Sequence, residues 1–416
     1  MRTKRSFLER IKKISYATFA ASFGLTPFIS SMLLVFFLVS NFFILIIEPI
    51  QKSGIKRTIP FVLPFIIYII CLPYTYDFKS ALSFILKSLP ILILPLLFGL
   101  NITIVKKYKD DIIKYYLNGL LISCIISILI GCILFANNFN MNKLMYYELA
   151  EYLSLHPTYY SLYLLLGVIL LMFSYEGKQW YKVMVLTIFV VTIILLQSRI
   201  AYVCLILLSV LKIKSSLKKG SFISISALLV FILLMIFAVP NSLKRLEQTF
   251  YYSENLTDLI GNENENGVTQ RLWLWENAMN HIKERIVLGH GLKSQKKIFK
   301  WKIHKHNLSN KTSYDYKEAA LEVGKLNLHN QYLQILYESG LVGFLFFLVS
   351  IFYIIKEAFR GKNYLFIYCY GLFLIFLLTE NLLDRQMGIY FYSFMYPFLY
   401  LLKSEDLTLS HQSFQK

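Results

Sequence analysis

Charge is scarce in this chain: 16% of its 416 residues are Asp, Glu, Lys or Arg, against about a quarter in soluble globular proteins. With a mean hydropathy of +0.55, that scarcity excludes a soluble globular domain. Acidic residues are the scarcer sign, 24 against 43 Lys and Arg, which leaves a formal charge of +19. Cysteine is sparse as well. Cys71, Cys124, Cys132, Cys204 and Cys369 lie in apolar runs without Cys-x-x-Cys spacing, so a disulfide framework is excluded and small apolar packing is expected. The sequence also lacks an Asp-x-Asp clamp, a Walker-type Gly-Lys-Ser/Thr loop, a Rossmann glycine fingerprint and a His-Glu-x-x-His pair. No metal, nucleotide or other cofactor is therefore expected. What the chain has in abundance is apolar surface, 56% of residues, with aromatics at 16%, and that excludes disorder.

A bilayer-spanning helix needs about 20 apolar residues. The runs near 14–28, 30–47, 59–75, 82–103, 113–136, 157–174, 181–197, 200–213, 220–240, 331–356, 363–380 and 387–403 predict an all-α polytopic membrane helix bundle of about twelve spans. Pro27 separates the first two. The basic head Arg2, Lys4, Arg5, Arg10, Lys12 and Lys13 could mimic a signal peptide, but no soluble mature domain follows, and it reads as the start of a membrane helix. Alternate connections carry the bases: Lys52, Lys56 and Arg57; Lys106, Lys107, Lys109 and Lys114; Lys178 and Lys182; Lys212, Lys214, Lys218 and Lys219; Lys356, Arg360 and Lys362. The connections between these are short or poor in base, except the long stretch 241–330, which holds Lys293, Lys296, Lys297, Lys300, Lys302 and Lys305 and is compatible because long loops cross regardless of charge. By the positive-inside rule both termini are cytoplasmic. Most of the +19 is thus an orientation signal; it speaks for membrane lipids and against nucleic acid as the surroundings of this protein.

The chain divides into membrane spans over 1–240, a long polar loop over 241–330 on the outer face, further spans over 331–403 and a cytoplasmic tail over 404–416. Loops of this length are usually functional. The run Gly261-Asn-Glu-Asn-Glu-Asn-Gly267 lacks EF-hand ligand spacing. From Arg271 to Ile286, Leu272, Trp275, Met279, Ile282 and Ile286 recur at three- and four-residue steps, which predicts an amphipathic helix on or near the membrane.

Several polar residues stand out against this background. His329-Asn330 opens the tenth span, with Leu333 and Leu336 on the same helical face and Gly340 and Gly343 placed to let another helix approach. A histidine there can act as a base or a hydrogen-bond partner, or simply cap a helix. Arg199, between two spans, calls for an anion or a wet cavity unless it snorkels. Arg271, ahead of Trp273 and Trp275, could meet a lipid-linked phosphate or an ordinary head group; Arg245 is similar. His156-Pro157 has the form of a helix start. Lys87 lies on the outer third of the fourth span, and Glu380 with Asp384-Arg385 reads as a local ion pair.

These features resemble the O-antigen ligases and related O-antigen polymerases of bacterial envelopes. The resemblance rests on the span layout, the single long loop after the ninth span, His329-Asn330-x-x-Leu333-x-x-Leu336 with Gly340 and Gly343, Ser198-Arg199, Arg271 with Trp273 and Trp275, and Gly289-His290-Gly291. It implies a GT-C-like inner-membrane glycosyltransferase working at the periplasmic face without metal or ATP. Its donor would be an undecaprenyl-pyrophosphate-linked glycan and its acceptor the lipid A–core, or in a polymerase another lipid-linked repeat unit. Arg199, Arg271 and His329 would then be catalytic, with Arg199 and Arg271 on the pyrophosphate and His156, Lys87, Arg245 and Asn330 as further substrate contacts. A transporter of lipid-linked glycan is the alternative of another class. It usually shows repeated halves and broken midplane helices, and no repeat is visible here.

Overall fold

The computed structural model describes residues 2–47, 54–175, 177–215, 267–295 and 327–402. The expected ninth span, most of the long loop including Arg245, and the tail fall outside them. The described regular structure is helical. We number the principal helices α1 (Arg2–Ala21), α2 (Pro27–Ile47), α3 (Ile55–Tyr74, alternating α and 3-10 turns), α4 (Phe78–Leu100), α5 (Lys109–Asn138), α6 (Pro157–Phe173), α7 (Gln179–Leu195), α8 (Arg199–Ser215), α9 (Gly267–Ile282), α10 (Gln331–Arg360), α11 (Tyr364–Phe376) and α12 (Gln386–Leu401). Four of them, α3, α4, α5 and α10, are long and apolar enough to cross a membrane. Shorter apolar helices include α6, α7 and α11. The expected first span, 14–28, does not coincide with one helix: the chain leaves α1 at Ala21, makes a 3-10 turn over Ser22–Gly24 and restarts at Pro27, where a ring without an N–H fits the first helical position.

Local chemistry sets these boundaries. Asp77 accepts from the Ser80 amide at 3.1 Å and caps α4. Asp110 and Asp111 lie in the first turn of α5, where carboxylates suit the helix dipole. Asn363 caps α11 through the Phe366 amide and also holds Leu399 and Leu402 carbonyls through its amide nitrogen.

Two helices form the centre. Nearly every residue of α6 and α12 is buried, with no polar side, as expected of helices surrounded by protein rather than lipid. Around α12 an aromatic layer assembles from Phe19, Phe23, Phe37, Phe98 and Phe394, with Phe19 edge-on to Phe394 at 4.9 Å. Peripheral helices keep apolar outward faces: Met32 and Val35 on α2, Leu129 and Ile133 on α5, Leu345 and Phe352 on α10 are exposed, and lipid is the solvent that accepts them. Cys71, Cys124, Cys204 and Cys369 are buried as expected, whereas Cys132 is exposed on α5.

The ends of the bundle differ. At one end lie the base-rich connections, where Lys107 pairs with Glu9, Lys13 with Asp111, and Arg57 donates to the Tyr400 carbonyl. At the other lie the connections that hold His156, Thr75, His329 and Glu380, joined by Tyr159 Oη to the Asn381 carbonyl and Leu292 N to Thr75 Oγ1.

Helix α10 is broken. Gly340 has φ +62° and ψ −166° in its interior, which opens the helical ladder. The segment 286–291 fills the gap: the amides of His290 and Gly291 donate to the carbonyls of Tyr337 and Glu338, and the amides of Leu341 and Val342 donate to those of Ile286 and Val287, at 2.8–3.2 Å. Groups that would be orphaned in an apolar setting are thereby satisfied. The expectation that Gly340 admits another helix is corrected here, because it admits the turn 286–291 instead. Gly343 does face a helix, with Ile67 of α3 3.1 Å from where a Cβ would stand.

Candidate functional site

The loop helix α9 is docked on the first turns of α10. Leu274, Ala278 and Ile282 are buried against Leu328 and Tyr337, with Trp273, Trp275, Leu333 and Leu336 around them. Trp275 Nε1 donates to the Leu328 carbonyl at 2.7 Å. Of the expected stripe, Ile282 and Trp275 belong to this buried side and the rest do not. Leu272, Met279 and Ile286 are exposed, next to exposed Val287 and Leu288. The helix is apolar on two sides, and its outward side is the one suited to lipid.

This docking brings Arg271 to Glu380. One guanidinium nitrogen lies 2.9 Å from Glu380 Oε1, and the carboxylate is 1% exposed while Arg271 is 30% exposed. The other carboxylate oxygen faces His329, with Nδ1 3.4 Å from Oε2. At that distance the contact is a charge contact rather than a well-formed hydrogen bond. Among the described residues, Glu380 is contacted by Arg271 and His329. The pairing expected to be local to 380–385 is thus long-range: its two partners come from α9 and from the turn before α10. Asp384 likewise pairs with Lys293 and takes a weak bond from Asn327 at 3.4 Å.

His329 stands just outside the helix, with φ +47°, and its amide donates to Asn327 Oδ1. Asn330 is the cap, its side-chain oxygen accepting from the Leu333 amide at 3.0 Å. That oxygen is occupied in holding the helix start. The connection carrying Glu380 is fastened to the same start: Gln331 Oε1 accepts from the Leu383 amide, Gln334 Oε1 accepts from Asn381 Nδ2, and Gln334 Nε2 donates to Glu338 Oε1. A mesh of glutamine and asparagine thus fixes the geometry of His329 relative to Glu380.

His156 belongs to the same electrostatic neighbourhood. Its Nδ1 accepts from the Thr158 amide at 3.3 Å and its Nε2 lies 3.1 Å from Tyr147 Oη. An accepting Nδ1 in a neutral ring puts the proton on Nε2, which then donates to Tyr147. Burial depresses the His156 pKa to about 4, and Arg385, His329 and Arg271 add to the effect while Glu380 opposes it. For Glu380, burial pulls upward, but contact with His329 and the charges of His156 and Arg271 outweigh it and hold the carboxyl at about 2.

The remaining expected residues are placed as follows. Arg199 is the first residue of α8, partly buried. The preceding turn is tied to the His156 connection through Gln197 Nε2 and Met145 Sδ at 3.5 Å, so Arg199 lies at the same end of the bundle, yet it does not touch Glu380. Lys87 donates to the Asp384 carbonyl at 2.6 Å and lies 5.4 Å from the Phe84 ring, next to the Lys293–Asp384 pair. Arg245 lies outside the described residues.

Both pKa shifts have one sign. Glu380 and His156 bind fewer protons folded than unfolded, so each contributes stability that disappears on acidification. For His156 it is complete above the ordinary 6.5 and fades as pH falls toward about 4; for Glu380 it fades between 4.5 and about 2. The apparent melting temperature of the detergent-solubilised chain is expected to drop by several degrees from neutral pH to about pH 5. His156→Asn, which keeps a capping oxygen, is expected to flatten that slope, and an unchanged slope would refute the assignment.

Residues 183–348 match the model of a family described as O-antigen ligase. The match includes Arg199, Arg271, His329 and the Gly340 break, and it ends short of Glu380. No curated protein matches the chain. Together with the membrane-length helices, the match supports a multi-pass membrane glycosyltransferase of O-antigen ligase or polymerase type.

Proposed function

We propose that this protein is an O-antigen ligase that moves a glycan from undecaprenyl pyrophosphate to a sugar of the lipid A–core. The observation that carries the reading is the buried Glu380 carboxylate shared by Arg271 from the loop helix and His329 from the mouth of α10. In this reading about twelve spans form a GT-C-like bundle in the inner membrane, with both termini cytoplasmic and the Glu380 end facing the periplasm.

The chemistry is a displacement at the anomeric carbon. The acceptor oxygen forms the new glycosidic bond as the bond from carbon to the pyrophosphate oxygen breaks. Glu380 holds the proton of His329 on Nδ1, leaving Nε2 to take the acceptor hydroxyl's proton, and it stabilises the imidazolium that results. Charge grows on the departing pyrophosphate. Arg271, which has donors beyond the one given to Glu380, and Arg199 meet it as planar cations suited to phosphate oxygens. Neutral His156, its one N–H given to Tyr147 Oη, adds no charge beside the leaving group. A single displacement inverts the anomeric centre, which NMR of the product linkage reads directly; retention would overturn that step.

Purified chain, lipid-linked glycan and lipid A–core, incubated with chelator and no nucleotide, are expected to yield glycan-capped core. Lengthened lipid-linked glycan with unmodified core would instead establish a polymerase. Formation of no transfer product of either kind would refute the glycosyltransferase reading.

A further inference from the structure

The opposite end of the bundle contains a second built feature. A cavity of about 670 Å³ lies between the start of α3, the end of α10 and the end of α12, with Lys56, Arg57, Arg360 and Lys362 on its walls and Glu357 as its carboxylate. Among the described residues lining it, four cations face one acid, and Glu357 lies 3.7 Å from Arg360, at the limit of an ion pair. Arg57 is held in place from two directions: its guanidinium donates to the Tyr400 carbonyl at 3.2 Å and lies 5.6 Å from the Tyr400 ring centre. Lys362 adopts φ +53°, directly after Gly361 at the end of α10. A lysine occupies the left-handed position that glycine would take more cheaply, and Asn363 anchors the same turn to the last carbonyls of α12.

Adjoining this cavity, and sharing Lys56 and Tyr353 with it, runs a groove of about 340 Å³ lined by Ile59, Pro60, Leu63 and Val349. The Ser350 hydroxyl on its wall is spent, because it donates to the Pro60 carbonyl at 2.7 Å. The groove opens on an apolar flank of α10, where Val349 is 60% and Phe352 67% exposed. A soluble phosphate would have use for the cations alone. A basic pocket continued by an apolar channel toward lipid has the form of a head-group site with its acyl slot.

We propose that this end of the protein binds one anionic phospholipid, its phosphate among Lys56, Arg57, Arg360 and Lys362 and an acyl chain along Ile59, Leu63 and Val349. The site is independent of the glycosyltransferase reading. It lies at the far end of α10 from His329, on the face that carries the base-rich connections.

The test uses the full chain in detergent, titrated with phosphatidylglycerol, phosphatidylcholine or inorganic phosphate, with bound lipid counted by native mass spectrometry. One phosphatidylglycerol per chain is expected to be retained, at about tenfold or greater preference over phosphatidylcholine. Arg360→Gln with Lys362→Gln is expected to lower its retention about tenfold or more, since two of the four cations around the phosphate are removed. Val349→Trp leaves every charge in place and fills the groove, and is expected to weaken phosphatidylglycerol retention as well. Arg360 is 80% exposed and Val349 faces outward, so both variants keep the fold, which a melting curve checks. Equal retention of phosphatidylcholine would overturn the proposal. So would full displacement of phosphatidylglycerol by millimolar inorganic phosphate with Val349→Trp unaffected, which would mark a soluble-anion site.

Discussion

Replacing Glu380 by glutamine is expected to reduce glycan transfer by about 10²–10⁴-fold, the range typical of a positioned proton acceptor, in a chain that still inserts and folds. Glutamine keeps the size of the side chain and one accepting oxygen. It removes the negative charge that holds Nδ1–H of His329 and that would balance an imidazolium after proton transfer. It also releases Arg271, whose described anchor is Glu380 Oε1 at 2.9 Å. Glu380 touches no reacting atom in this scheme; it is a positioning residue, and its variant should be distinguishable from a merely unstable one. The distinguishing readout is a split between turnover and stability: kcat should fall while the melting curve and KM for the acceptor change little, whereas a merely unstable chain would lose all of them together. Glu380→Asp, shorter by one methylene, keeps the charge and should retain more activity than glutamine. Equal activity of wild type and Glu380→Gln would sink the role assigned to this carboxylate.

The cations of the site are legible in the sequence and the anion between them is not, for a physical reason. Arg271 and His329 are conspicuous because a cation or imidazole beside Trp273, Trp275, Leu333 and Leu336 is improbable without a partner. Glu380 has neighbours in sequence, Asp384 and Arg385, that offer a sufficient explanation close by. Its actual partners arrive only through the docking of α9 on α10, which no local pattern encodes. Helix α9 shows the same limit. Periodicity finds the helix, but with apolar residues on two sides it cannot say which side meets protein. Leu274, Ala278 and Ile282 are buried and Leu272, Met279 and Ile286 are left outside or at the rim because Leu328 and Tyr337 shape the seat. The long runs near 82–103, 113–136 and 331–356 are legible because crossing a bilayer demands a length and a composition that few other structures need. The expected twelve-span total goes beyond the four membrane-length helices found among the described residues.

Gly340→Ala is expected to be the most damaging single methyl in the described structure. At φ +62° and ψ −166° the backbone is in a region that is essentially glycine's alone, with a strain of about 1–3 kcal/mol for any other residue. The added Cβ would stand 2.3 Å from the Val287 carbonyl oxygen and 2.6 Å from the Gly289 amide nitrogen. Backbone cannot swing aside as a side chain can. Relief requires expelling segment 286–291 from the break, and with it the bonds that satisfy Tyr337, Glu338, Leu341 and Val342, each contributing about 0.5–1.5 kcal/mol. Because 286–291 continues directly from the end of α9, the expulsion should also release Arg271 from Glu380. Stability and transfer are thus expected to fall together, with the amides of His290, Gly291, Leu341 and Val342 losing protection from hydrogen exchange ahead of the rest of α10. Gly371 supplies the contrast. It lies inside α11 with nothing within 4 Å of the place a Cβ would take, so Gly371→Ala should leave transfer unchanged and raise stability by up to about 1 kcal/mol through helix propensity alone. If the two alanines behave alike, the break at Gly340 is not the joint that couples the loop helix to the bundle.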